Sequence, residues 1–318
     1  MANKRLLVEP PAFTPLRFGL LSAATDRTAE VAAQGNHWAT GVTWQSHCPG
    51  TDGTYDECLT VVRDAGDPTT VDLDLPPEPP DKESTTGFQL RGATPFTVLA
   101  RFDCSPVGFY DRAQALATEA LTRAENFRVE RIFATGIAPT AMGAAETVFP
   151  HLQANDFLVD DTGVLLQPQV EFSAVETVDI VEGFGLLERD LGECYHGAGV
   201  LHVPAVLGPA LQEHNLVTRQ GEALFTLNGN RVALGSGYPG AAPDGTVEPG
   251  VAWVYATGAM FYYRSNVVVT RVTDSIDRSK NTIEAMAERH YVIGWDCCLL
   301  AAPISTGGVV TGAFNMET

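Results

Sequence analysis

The stretch from Phe96 to Gly136 constrains the fold more than any other part of the chain. The run Pro95-Phe96-Thr97-Val98-Leu99-Ala100-Arg101-Phe102-Asp103 reads as an extended strand, and the turn Cys104-Ser105-Pro106-Val107-Gly108 hands it to a long helix. Ala113, Leu116, Ala117, Ala120, Leu121, Ala124 and Phe127 recur at three- and four-residue steps, with Asp111 placed to cap the first turn and Gly136 to stop the last. At about 1.5 Å per residue, Asp111 to Phe133 would span roughly 35 Å. The other face carries Arg112, Glu119, Arg123, Glu125, Arg128 and Glu130, so the helix is expected to be amphipathic and not buried all round. One strand feeding one long, exposed spine helix is an unusual layout for an enzyme.

A chain of 318 residues with 45% hydrophobic content can bury a core, as one large domain or as two to three lobes. Its 39 acidic residues against 20 basic ones give a formal charge of -19, which repels a phosphate backbone and excludes tight nucleic-acid binding while leaving room for weak contact. Lys4, Lys82 and Lys280 are the only lysines, so the remaining cations are arginines, whose planar forks suit subunit interfaces. A compositional bias of the source genome accounts for the same imbalance. The start, Met1 to Pro11, holds too short an apolar stretch for a secretory signal, and no run is long enough for a transmembrane helix. Cys48, Cys58, Cys104, Cys194, Cys297 and Cys298 show no CxxC spacing and are expected mostly as buried thiols; His47, Cys48 and Cys58 are too loosely placed to specify a metal site or a disulfide.

Residues 1–60 read as an extended arm, because Pro10, Pro11, Pro15, Gly35, Gly41, Pro49, Gly50 and Gly53 divide short apolar pieces that cannot close a core. From Asp64 to Gly92 a second irregular section carries the stiff tip Pro76-Pro77-Glu78-Pro79-Pro80-Asp81-Lys82-Glu83 of a long excursion. After the spine helix a loop-rich stretch leads to a second amphipathic helix, Ala174 to Cys194, closed by His196-Gly197. Val200 to Val203 reads as a strand, Pro204 to His214 as a short helix, and Leu224 to Leu234 as a hairpin around Asn228-Gly229. Two strand pairs are expected to end the chain, Ala252 to Tyr255 with Met260 to Val272, and Ile283 to Trp295 with Cys297 to Ile304.

Catalytic motifs are weak. Gly183-Phe184-Gly185 lacks the third glycine of a dinucleotide fingerprint and reads as a packing point in a helix. Gly235-Ser236-Gly237 lacks the spacing of a nucleophile elbow and reads as a tight turn. His196 and His202 flank a turn and could approach Asp190 or Glu193 at a metal, but no further ligand stands at a diagnostic spacing. No cofactor and no metal is expected. Trp253, Tyr255, Phe261, Tyr262 and Tyr263 alternate along strands as core or interface residues. Arg123, Arg128 and Arg131 are interleaved with Glu119, Glu125 and Glu130, so the helix offers no basic track.

Taken in order, these pieces resemble the major capsid protein of tailed bacteriophages, whose Hong Kong 97-type fold encapsulin shells share. The resemblance runs from about Val61 onward: the Pro-rich loop with Lys82, the strand into Cys104-Ser105-Pro106, and the helix to Phe133-Ala134-Thr135-Gly136. It continues through Gly199-Val200-Leu201-His202-Val203-Pro204, the hairpin to Val232, Gly235-Ser236-Gly237-Tyr238, and Tyr255-Ala256-Thr257-Gly258. It implies an α+β chain with an N-terminal arm (1–60), an extended loop (61–103), a peripheral domain with the spine helix (104–150), an axial domain (151–262), and return strands and tail (263–318). It also implies a structural protein, not an enzyme, that assembles in the bacterial host cytoplasm. Copies would form hexamers and pentamers of an icosahedral virion shell around double-stranded DNA, with scaffold, portal or decoration proteins as partners and no membrane.

By the same resemblance Lys82, Glu83 and Arg91 of the loop are expected at the assembly interface, and Arg112, Arg123, Glu130 and Arg131 as the site residues of the spine helix. Lys82 would be the donor if subunits cross-link, with Asn228, Asn230, Asn266 or Asn281 as acceptor and a carboxylate such as Glu130 assisting proton transfer. Bending or rotation about the spine helix would let the shell expand. The alternatives are an encapsulin-type compartment and a cytosolic hydrolase using His196, His202 or Ser236.

Overall fold

A computed structural model describes residues 13–14, 16–31, 36–46, 89–104, 110–137, 150–153, 158–159, 165–167, 169–271 and 283–307. Lys82, Glu83, His47, Cys48, Cys58 and Asn281 lie outside these residues, as does the Pro-rich tip. The described chain opens with a helical turn α1 (Leu20–Ala23), strand β1 (Thr25–Asp26), α2 (Thr28–Val31), a 3-10 turn (Asn36–Thr40) and β2 (Val42–Ser46). Next come β3 (Gln89–Ala93), β4 (Phe96–Cys104), α3 (Tyr110–Thr135), β5 (Leu158–Val159), β6 (Leu165–Gln167), β7 (Glu171–Phe172) and α4 (Ile180–Tyr195). Then follow β8 (Val200–Pro204), α5 (Gly208–Glu213), β9 (Thr218–Gln220), β10 (Ala223–Phe225) and β11 (Arg231–Gly235). The last elements are β12 (Val251–Thr257), β13 (Met260–Arg264), β14 (Val268–Arg271), β15 (Ile283–Trp295) and β16 (Leu299–Ser305). Helices and largely antiparallel sheets are segregated, which makes the chain α+β.

The strand and helix of the join fall where the sequence places them. The helix begins at Tyr110, so Asp111 lies in its first turn and not at the cap. Gly136 ends it at φ 69°, its N–H bonding Ile132 O at 2.8 Å, a left-handed closure that costs a glycine little. β4 pairs along its whole length with β15, and α3 lies across both.

Three sheets result. One is five-stranded, ordered β1-β13-β15-β14 with β4 also on β15; a second is seven-stranded, ordered β7-β16-β12-β8-β11-β10-β9; the third joins β2, β3, β6 and β5. The closing strands do not pair as the sequence suggests. Thr257 faces Leu299 and Met260 faces Trp295, and between them Gly258 N–H bonds Cys297 O while Asp296 N–H bonds Ala259 O. Residues 251–264 and 291–305 therefore form one continuous antiparallel ribbon that bends once and belongs to both sheets. β16 does not return to the sheet of the spine helix; it lies in the seven-stranded one.

Alternation along this ribbon separates the cores. Met260 and Tyr262 join the main core under α3, whereas Phe261 and Tyr263 pack with Trp38, Ala93 and Val292 on the other side. Trp253 and Tyr255 also join the main core, whereas Ala252, Val254 and Ala256 face Phe184, Leu187 and Leu191 of α4. The aromatics thus sit on strands buried on both faces, not on a core face backed by solvent.

α4 starts at Ile180, later than its periodicity suggests, because β7 and Val178 pair with β16 before Asp179 caps the helix. The Asp179 carboxylate accepts from Val181 N–H and Glu182 N–H. That register leaves Val181 47% exposed, off the buried stripe. Gly183 is a packing point: a Cβ there would stand 2.8 Å from Ile304 Cδ1. His196 closes α4 at φ 55°.

Cys194 and Cys298 are disulfide-bonded, and Cys297 is also oxidised, so three cysteines are not the buried thiols expected. The pairing joins residues 104 apart in sequence, and only the bend of the ribbon against the end of α4 brings them together.

Candidate functional site

The described part of the N-terminal arm lies on the body of its own chain. Leu20, Ala23 and Ala24 are buried in the main core, and β1 runs parallel to β13. Leu234 N–H bonds Phe18 O at 2.7 Å, the Arg231 guanidinium donates to Ala23 O at 3.1 Å, and the Asn126 amide donates to Leu16 O at 3.2 Å. The apolar pieces are too small to close a core alone, but they complete one that α3 and β11 leave open.

At the centre of this docking is Glu130, expected on the charged outer face of the spine helix and found 2% exposed. Its Oε1 accepts Leu20 N–H at 3.3 Å and its Oε2 accepts Gly237 N–H at 2.9 Å, with Ser236 N–H as a third backbone donor. Glycines make room for it: a Cβ on Gly19 would lie 2.1 Å from Oε1, and a Cβ on Gly235 would lie 2.7 Å from Oε2. Burial pushes the carboxyl up to about 7, against the opposing pull of the Gly237, Leu20 and Ser236 N–H groups. The Gly235-Ser236-Gly237 turn that resembles a fragment of a nucleophile elbow is a receptor for this internal carboxylate.

Glu125 also turns inward, to 8% exposure, where Arg289 and the Tyr291 hydroxyl donate to its Oε1. The spine helix therefore sorts its glutamates unevenly. Glu119 stays outside and pairs with Arg123, which also lies 5.6 Å from the Phe13 ring, while Arg128 is exposed and Arg131 half-buried. The side chain of Arg112 is outside the description. Periodicity misses the sorting because the second half of α3 is covered on two sides, by β15 and by the turn at Gly235 to Gly237.

Arg91, expected at a subunit contact, is 2% exposed within its own chain. It donates to Asp296 O and stands 5.5 Å from the Trp295 ring, and burial lowers it to about 10 with Asp296 opposing. Among the cross-link acceptors, Asn230 is 4% exposed and committed to Gly199 N–H and to Glu188; Asn228 bonds Glu188 at 3.0 Å, and Asn266 is exposed. Glu130, inside the chain, does not offer a carboxylate to a partner's lysine.

The residues proposed for hydrolysis are not brought together. His202 is 1% exposed, with Nδ1 3.0 Å from Tyr238 Oη and Nε2 3.0 Å from Thr257 Oγ1. Burial drives it down to about 3, so it is neutral and both nitrogens are occupied. A cavity of about 10 Å³ beside it, lined by Leu152, Trp253 and Tyr255, holds at most about one water. His196 is exposed at the end of α4, and Ser236 is exposed on its turn. Among the described residues no three His, Cys, Asp or Glu side chains could hold a metal ion, and no helix is long and apolar enough to cross a membrane. The chemistry of this buried cluster is that of fastening: a carboxylate and a histidine hold the arm, the spine helix and two strands together.

No family model and no curated protein sequence matches the chain. Among solved structures it is similar to a chain of Mycobacterium phage Ogopogo, at 13% identity and a TM-score of 0.49, covering 95% of this chain and 97% of that one. It is likewise similar to the capsid of an empty GTA particle, at 11% identity and 0.49, covering 96% and 95%. The capsid of Ralstonia phage GP4 gives 8% identity and 0.49, covering 95% of each.

Proposed function

We propose that the chain is the major capsid subunit of a tailed phage, assembling through pentamers and hexamers into an icosahedral head that encloses double-stranded DNA. The observation that carries the reading is the placement of the spine helix. Its 26 residues lie across β4 and β15, and β2 pairs antiparallel with β3 beside them. Surface chemistry agrees: Val175 is 87% exposed and Leu227 is 86% exposed, apolar groups that association would cover. The formal charge of -19 suits a wall to which packed DNA does not adhere.

Electron microscopy of the purified full-length protein tests the proposal. Closed shells are expected, containing DNA when taken from infected cells. A protein that stays monomeric in every assembly condition would overturn it, and shells filled with other proteins would favour the encapsulin reading.

A further inference from the structure

Residues 16–24 lie over the body as a strap, and their deepest polar anchor is a carboxylate with no cation beside it among the described residues. Glu130 makes no ion pair among the described residues, and the hydrogen bonds it accepts come from backbone N–H groups. A carboxylate buried without a cation is costly in its charged form, and the cost disappears either by taking up a proton or by regaining water. Water reaches Glu130 if the strap lifts, because Leu20 N–H and the Cα of Gly19 form one wall of its cradle.

The ionisable groups around it do not substitute for a cation. On the turn after β11, Tyr238 faces Glu130, but its hydroxyl is committed to the neutral His202. On β11, Arg231 donates to Ala23 O; on α3, Glu125 is engaged by Arg289, and Arg131 is half-buried. On the strap, Arg17 is exposed.

We infer that Glu130 is a proton-controlled latch for the strap: the protonated acid holds residues 16–24 closed, and the ionised carboxylate loosens them. The direction follows from linkage. With the strap lifted, Glu130 regains an ordinary carboxylate affinity near 4.5; with it closed, the affinity lies near 7, so protons favour the closed form. Opening is therefore least below pH 4.5, grows as pH rises, and levels off above about 7. The inference concerns one chain and does not rest on the capsid reading.

Hydrogen exchange on the full chain, corrected for the intrinsic pH dependence of exchange, tests it. Protection of the Leu20 and Leu234 amides is expected to fall by one to two orders of magnitude between pH 4.5 and 7, while the β12–β16 ladder keeps its protection. Glu130→Gln should give a flat profile. Gly19→Ala, whose Cβ would lie 2.1 Å from Oε1, should leave the strap unprotected at every pH. A flat wild-type profile, the same slope in Glu130→Gln, or full protection in Gly19→Ala would each overturn the inference.

Discussion

Held between Tyr238 Oη and Thr257 Oγ1, His202 resists protonation, because burial keeps the cation from bulk solvent and no carboxylate among the described residues pairs with it. Its folded affinity near 3 lies below the ordinary 6.5, so the unfolded chain binds the proton better. Stability is complete above pH 6.5 and is lost on acidification, by about 1.4 kcal/mol per pH unit, until about pH 3. Glu130 acts in the opposite sense, since its raised affinity makes the folded state gain stability as pH falls from 7 to 4.5. The contributions of these two groups should nearly cancel over that window. Urea unfolding is expected to separate them: His202→Gln gains stability on mild acidification, and Glu130→Gln loses it. Both residues are visible in the sequence, but neither role is. A glutamate among arginines on a helix reads as surface charge until the Gly235-Ser236-Gly237 turn is known to fold over it.

At the level of elements, the bounds of β4 and α3 were readable almost to the residue, since a β-rich run marks the first and a three- and four-residue stripe the second. Ala120 stands in the middle of α3, on the turn between the buried Ala117 and Leu121. Ala120→Pro removes one backbone donor and jams the preceding turn, at about 3 kcal/mol or more. If the chain assembles as proposed, electron micrographs of the variant should lack shells, and normal shells would count against a mechanical role for the helix. The strand partners were not readable. Met260 to Tyr263 follows Val251 to Thr257 closely enough to look like its hairpin partner, yet both find their antiparallel mates in 291–305, because the ribbon carries buried side chains on both faces and is covered by α3 and by α4.

The whole molecule carries a formal charge of -19, and any assembly of identical copies multiplies that repulsion. If surface association follows the proposal, light scattering should show assembly accelerating as salt rises from tens to hundreds of millimolar, since the Debye length shrinks to about 10 Å at 0.1 M. Faster assembly at the lowest salt would argue that attraction between opposite charges, not covered apolar surface, drives contact. The ribbon bears on how the chain can change shape. Its two strands cross from one sheet to the other side by side, hydrogen-bonded through the crossing, and Cys298 at the bend is tied to Cys194 on α4. A pair of coupled backbones resists swinging at a point but yields to twist along its length, so motion of one sheet against the other should be stored as torsion, with the disulfide setting its stiffness.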